Sequence, residues 1–322
     1  MDVLNPAFWT FVAIIAGIYA IFSLGLYVQF SLAGLPNFGH VAFMAVAAYT
    51  MAILVVRYAV PMPLAAGAGL FGAVVLALVL GIPTLRLRAD YLAIATVAGG
   101  EIIRYLAMNL PDLTGGPIGS IALLGPGQIA LYNGAWLTFL DQIAANLSGL
   151  VGARLSRDGA AAILVWLIAG GLVLVLWRCE RSPWGRVLKG IREDEAAVTA
   201  VGKNVFAFKL QSLGIAAALA AIAGFFLALN VTYLYPSEFD PSFTFFGYAA
   251  LILGGFASYG GVVAGAIILC ALTEGLRFLD LPLSSSQSGS LRFIIVGLVL
   301  IILAMFRPQG LLGSKAEMQL RS

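Results

Sequence analysis

Residues 3–56, VLNPAFWTFVAIIAGIYAIFSLGLYVQFSLAGLPNFGHVAFMAVAAYTMAILVV, pass 54 positions without one Asp, Glu, Lys or Arg. A helix rises about 1.5 Å per residue, so about 20 residues cross the roughly 30 Å hydrocarbon layer, and this run is far too long for one pass. The turn-prone stretch QFSLAGLPN at 29–37, with Gly34 and Pro36, divides it into spans at 6–28 and 37–56. Outward from this run, Pro61 and Pro63 open a third span at 62–82, which Pro83, Arg86 and Arg88 close. Further spans are expected at 91–110, 159–177 and 210–232. Residues 243–279 are mostly apolar and would make a single helix of about 55 Å, nearly twice the membrane thickness. The Gly254-Gly255 and Gly260-Gly261 pairs are its natural breaks, giving segments at 243–257 and 262–279. With a last span at 290–306, the expectation is an all-α, polytopic membrane protein, one domain over 1–322 with about nine spans.

Composition agrees. Of the 322 residues, 61% are hydrophobic and 10% charged, against about 25% charged in a soluble domain. That excludes a water-soluble enzyme, a disordered chain and a nucleic-acid binder. The net charge of +3 comes with no basic tail or acidic block. Cys179 and Cys270 lie in unrelated surroundings and His40 is the only histidine, so neither a structural disulfide nor a zinc site is expected. The N-terminal MDVLNPAFW lacks the basic region of a signal peptide, so the first span is expected to be retained.

The cations give an orientation. The loop 178–209 holds seven of them (Arg178, Arg181, Arg186, Lys189, Arg192, Lys203 and Lys209), which places it in the cytoplasm. Counting spans from it puts Arg86, Arg88, Arg307, Lys315 and Arg321 inside and Arg57, Arg154 and Arg157 outside. The expected N-terminus is external and the C-terminus cytoplasmic. Segment 111–158 then lies outside. Its first part, LTGGPIGSIALLGPGQ, suits tight turns. Its second part sets Trp136, Leu140, Ile143, Leu147 and Leu150 at helical spacing and reads either as an amphipathic surface helix over 134–150 or as a plain connector.

The loop is the most informative segment. In SPWGRVLKGIREDEAAVTAVG, residues 182–202, Ser182-Pro183 signals a helix start and Gly202 a stop. The spacing predicts one amphipathic helix of about 20 residues, with Gly185 or Gly190 as the place for a kink. It reads as a docking helix for a cytosolic partner or as a helix resting on the bilayer.

Four stretches, LPNFGHVAFMAVAAYT (35–50), LRLRADYLAIATVAGGEIIRYLAMN with LTGGPIG (85–119), residues 182–224, and FRPQGLLG (306–313), together with ILGGFASYGGVVAGA (252–266), carry a resemblance. The chain resembles LivM-type permeases of branched-chain amino-acid ABC importers, over nearly its whole length. The resemblance implies a LivH-type permease partner, two cytosolic ATPase subunits that carry ATP and Mg, an extracytoplasmic substrate-binding protein, and a bacterial inner-membrane location. It implies that helix 182–202 couples to the ATPase, with contacts on Arg192, Glu193, Glu195, Ala196, Ala197 and Gly202. Four residues separate Ala197 from Gly202 where the common importer loop has three.

Energy supply discriminates among the alternatives. The sequence has no G-x-x-x-x-G-K-[ST] phosphate loop, so no cofactor is expected on this chain. A secondary transporter would use membrane-embedded ionisable groups, and these are few. Glu101 and Arg104 share a helix face, and Glu274 and Arg277 repeat the spacing. Each pair reads as structural or as a polar lining of the transport path. Phe38-Gly39-His40-Val41-Ala42 is echoed by Phe246-Gly247-Tyr248-Ala249-Ala250, as an inverted repeat would produce. The candidate path or gate residues are therefore His40, Glu101, Arg104, Thr114, Tyr248 and Glu274. Related urea or amide permeases and a self-sufficient transporter or channel are the competing functions; a membrane-embedded enzyme lacks any nucleophile or metal cluster in the sequence.

Overall fold

The computed structural model describes residues 6–123, 133–151, 155–231, 234–256, 258–275, 285–307 and 309–312. Arg154, Arg277, Lys315, Arg321 and the GPGQ of the external segment lie outside these. The regular elements among the described residues are all helical. Helix α1 (Pro6–Leu26) widens into a π-helical turn, Tyr27–Leu32. There follow α2 (Val41–Tyr58), α3 (Met62–Thr84), α4 (Ala89–Asn109), the short α5 (Pro111–Thr114), a 3-10 segment (Gly116–Leu123) and α6 (Gly134–Val151). Next come α7 (Arg157–Arg181), α8 (Pro183–Glu193), α9 (Glu195–Ala200), α10 (Val205–Asn230) and a 3-10 turn (Pro236–Phe239). The chain closes with α11 (Pro241–Gly254), α12 (Tyr259–Gly275) and α13 (Ser285–Phe306).

Six of these, α1 with its π turn, α2, α3, α4, α7 and α10, are long and apolar enough to cross a membrane, and a bent pair, α11–α12, makes up to seven. The expected nine is thus the larger figure. In the region 243–279 the chain turns by 119° between α11 and α12. The turn uses the Gly254-Gly255 break, with Gly255 at φ +111. The expected second break at Gly260-Gly261 falls instead inside α12, where Gly261 packs against Gly254. A Cβ on Gly254 would collide with the Gly261 carbonyl, and one on Gly265 with the Ala250 carbonyl. Small residues at these positions let the two helices touch backbone to backbone.

The core forms where α1 and α10 meet. Ile18, Ile21, Phe22 and Leu24 of α1 and Ala217, Ala220 and Ala221 of α10 are fully or almost fully buried. Around them stand α2 and α3 on one side and α7, α11 and α12 on the other. The connections collect at two ends. At one, the end of α1, the α3–α4 turn and the α8–α9 loop line a common groove. There too, Tyr259 at the start of α12 donates to the Leu176 carbonyl near the end of α7 (3.1 Å). The N–H groups of Leu311 and Leu312 donate to the carbonyls of Leu253 and Gly254 (both 3.0 Å), which returns the chain after α13 to this end. At the other end, Arg57 donates to the Asp112 carbonyl (2.5 Å) and Arg157 pairs with Asp141 (2.7 Å). The amphipathic helix expected over 134–150 is α6; it buries Leu140 and Ala144, and its Trp136 ring lies 6.2 Å from Phe226 of α10.

Candidate functional site: a loop platform and a buried helix start

The loop starts as the sequence indicates, with Ser182 extended before Pro183 at the first helical position. It does not form one helix. Asp194 is extended (φ −154, ψ 103), and its Oδ1 accepts from the N–H groups of Ala196 (2.9 Å) and Ala197 (3.0 Å). A short acidic side chain that caps the next turn competes with helix continuation, so the break falls at Asp194 and not at Gly185 or Gly190. Helix α8 buries Gly185, Leu188 and Ile191 against the bundle. Helix α9 buries nothing and presents Ala196, Ala197, Ala200 and Val201 outward; Val201 is 72% exposed. Gly202 closes it at φ +76, a conformation that disfavours residues with a Cβ.

The coupling candidates divide in two. Glu195, Ala196, Ala197 and Gly202 form the exposed α9 surface, and Glu195 is anchored by Lys209 of α10 (2.6 Å). Arg192 points inward. Its Nη1 donates to the Ser31 carbonyl (2.6 Å), its other donors hold Glu193, and its stem packs where Gly34 (φ +70) has no side chain. Arg192 thus ties the loop to the end of the π turn. A second tie runs through Glu180, paired with Lys189 (2.5 Å) and accepting from the Tyr27 hydroxyl (3.5 Å).

From Ser31 the chain leads into the second part of the site. The irregular stretch 33–40 turns back into the bundle, so α2 starts deep inside. His40 is completely buried against Phe22 (4.7 Å between rings), and Gly25 makes room for its imidazole. In an apolar interior the N–H groups of this helix start need partners. Side chains from α4 and α11 supply them. Thr96 accepts from Phe38 N–H (3.1 Å) and Thr244 from Val41 N–H (3.2 Å). The Tyr248 hydroxyl accepts from Asn37 N–H (3.0 Å) and donates to the Asn37 carbonyl (3.1 Å). Asn37 Oδ1 accepts from Gly39 N–H (2.9 Å). Gly39 lies so close to α4 that a Cβ would collide with the Thr96 carbonyl.

The structure brings His40 and Tyr248 of the path candidates together at this clasp and sends the others elsewhere. Glu101 and Arg104 hold one another on α4 through three contacts of 2.5–3.2 Å, one to two turns further along the helix than Thr96. Thr114 closes the turn after α4, donating to the carbonyls of Ala107 (2.5 Å) and Leu110 (2.9 Å). Glu274 lines a separate cavity of about 330 Å³ with Tyr19, Phe243 and Phe246. Sequence reasoning missed Asn37, Thr96 and Thr244; the available signal was a lone polar side chain in each of three apolar segments. Among the described residues no group of three or more His, Cys, Asp and Glu is arranged to hold a metal.

The family model described as branched-chain amino acid transport system / permease component matches residues 8–304. The chain belongs to this family. It is a multi-pass membrane permease component. It is 34% identical to the high-affinity branched-chain amino acid transport system permease protein LivM of Escherichia coli (strain K12), over 94% of this chain and 69% of that one. It is 32% identical to the LivM protein of Salmonella typhimurium, over 97% of this chain and 72% of that one. The LivH permease of Salmonella typhimurium is 25% identical over 92% and 91% of the two chains. No solved structure matches the chain significantly.

Proposed function

We propose that this permease is one membrane subunit of an ATP-driven importer for branched-chain or other apolar amino acids in a bacterial inner membrane. The observation that carries this is the exposed α9 surface on a loop that Arg192 ties to the end of the π turn, from which the chain runs to the buried start of α2. ATP and Mg sit on two cytosolic ATPase subunits that dock on α9, a LivH-type permease pairs with this chain, and a soluble binding protein delivers substrate to the opposite end. The end bearing α8 and α9 is the cytoplasmic one. Nine passes, with α11 and α12 counted as two short ones, put the N-terminus outside and the C-terminus inside. An inverted relation between the halves is supported by α2 and α11 meeting antiparallel, Val41 at Thr244 and Asn37 at Tyr248.

In this mechanism ATPase closure shifts α8–α9, Arg192 carries the shift to Ser31, and the stretch 33–40 moves relative to α4 and α11. Exchange of the Thr96, Thr244 and Tyr248 contacts switches the bundle between outward and inward openings. This chain breaks no covalent bond. Affinity purification of the tagged chain from cells that express the whole assembly tests the reading. ATPase and second permease should co-purify with the wild type, and Gly202→Trp should release the ATPase while the permease pair survives. Undiminished ATPase recovery with both Gly202→Trp and Glu195→Lys would refute docking on α9.

A further inference from the structure

Two membrane-length helices, α3 and α4, are equally thinly covered by the rest of the chain: 28% of the residues in the most apolar stretch of each are buried. Their compositions differ. Helix α3 contains no charged residue and exposes Leu64, Phe71 and Val79, a surface suited to lipid chains. Helix α4 contains Glu101 and Arg104, the one charged pair in the interior of a membrane-length helix among the described residues. Glu101 lies eight residues before Asn109, about 12 Å from that end of the helix and well inside the hydrocarbon layer.

The pair is bidentate but not enclosed. Glu101 keeps 26% of its side-chain surface exposed and Arg104 16%. It flanks an outward stripe formed by Tyr91, Ile94, Ile102 and Tyr105, all more than half exposed. Partly open charges at this depth are unfavourable against lipid, and ionisable groups within spans face protein or a water-filled path. Thr96 and Gly100 of the same helix already hold the start of α2, so α4 cannot rotate to carry Glu101 inward without breaking that clasp.

We propose that the outer face of α4 is the contact surface for a second membrane-spanning permease, and that α3 faces lipid. Only a membrane-embedded chain reaches this depth, which excludes the ATPases and the soluble binding protein. The occupant is the LivH-type partner, an assignment that rests on the heterodimer in the proposed function. The two permeases then meet along the helix that also clasps the start of α2, and the Glu101–Arg104 pair is covered by protein on assembly.

Photocrosslinking in the intact assembly tests this. Benzoylphenylalanine is placed singly in place of Ile94, Ile102 or Tyr105 on α4, and in place of Phe71 or Val79 on α3 as controls. Purification first establishes that each variant retains both permeases and the ATPases. The expected result is a band shifted to the summed mass of the two different permeases from α4 positions, absent from α3. A shifted band from α3 with none from α4, no partner adduct from any α4 position, or adducts joining two copies of this chain overturns the assignment. If the purified wild-type assembly contains no second permease, the heterodimer itself fails, a result read before any illumination.

Discussion

Tyr248→Phe removes one oxygen from the clasp and leaves the ring that packs on Phe38 (4.8 Å) and Phe30 (5.6 Å). That oxygen serves both backbone groups of Asn37, a residue 3% exposed. Each buried group left without its partner costs about 1–3 kcal/mol, and both together about 2–4 kcal/mol once local relaxation is allowed. If the clasp holds the resting state and is released on switching, this shifts the equilibrium toward the released state by roughly 30- to 700-fold. The assay is ATP hydrolysis and leucine uptake by the complete assembly in proteoliposomes, with and without binding protein. The expected outcome is ATP hydrolysis that no longer waits for the binding protein, and fewer substrate molecules moved per ATP. Unchanged hydrolysis and unchanged coupling, in a variant that still assembles, would refute the role of the clasp. A lower melting temperature with intact coupling would reduce Tyr248 to a structural residue.

Arg192→Ala cuts the bond to the Ser31 carbonyl while α9 keeps its own cap at Asp194; ATPase should still co-purify, with uptake per ATP reduced in the same proteoliposome assay. Arg104→Leu strands Glu101 inside α4 at a cost on the order of 2.5–3.5 kcal/mol on insertion scales, so membrane yield should fall and be restored by the double variant Glu101→Leu/Arg104→Leu, as measured by fluorescence-detected size exclusion. Glu238, in the connector before α11, is pushed up to about 7 by burial away from water. Because the folded protein holds that proton more tightly than the unfolded chain, the contribution is fully present below about 4.5 and is lost as pH rises through about 7. Thermal stability should therefore decline over that window in the wild type and decline less in Glu238→Gln, as followed by thermal melts.

Much of this fold can be read from the chain because membrane spans announce themselves by length and charge. The break at Gly34 and Pro36, the start at Ser182-Pro183 and the turn at Gly254-Gly255 all fall where residue chemistry puts them. The depth of the break does not show. Hydropathy measures how long an apolar run is, and a stretch such as 33–40 reads the same at the membrane surface as inside a bundle. The split at Asp194 is hidden for a related reason. IREDEAAV has good helix formers on both sides, and only the side chain's return to the Ala196 and Ala197 amides reveals a cap. Of the site, the exposed α9 surface and the His40 and Tyr248 positions were legible. Thr96, Thr244 and Asn37 were not, because their importance comes from three segments distant in sequence converging on one helix start.

The most direct measurement is leucine uptake into proteoliposomes holding this permease, its LivH-type partner and the ATPases, with binding protein on the outside. Accumulation should require ATP at the face bearing α8 and α9, require the binding protein at the other, and persist when the proton gradient is collapsed. Accumulation by the purified chain alone, driven by a proton gradient without ATP, would contradict it.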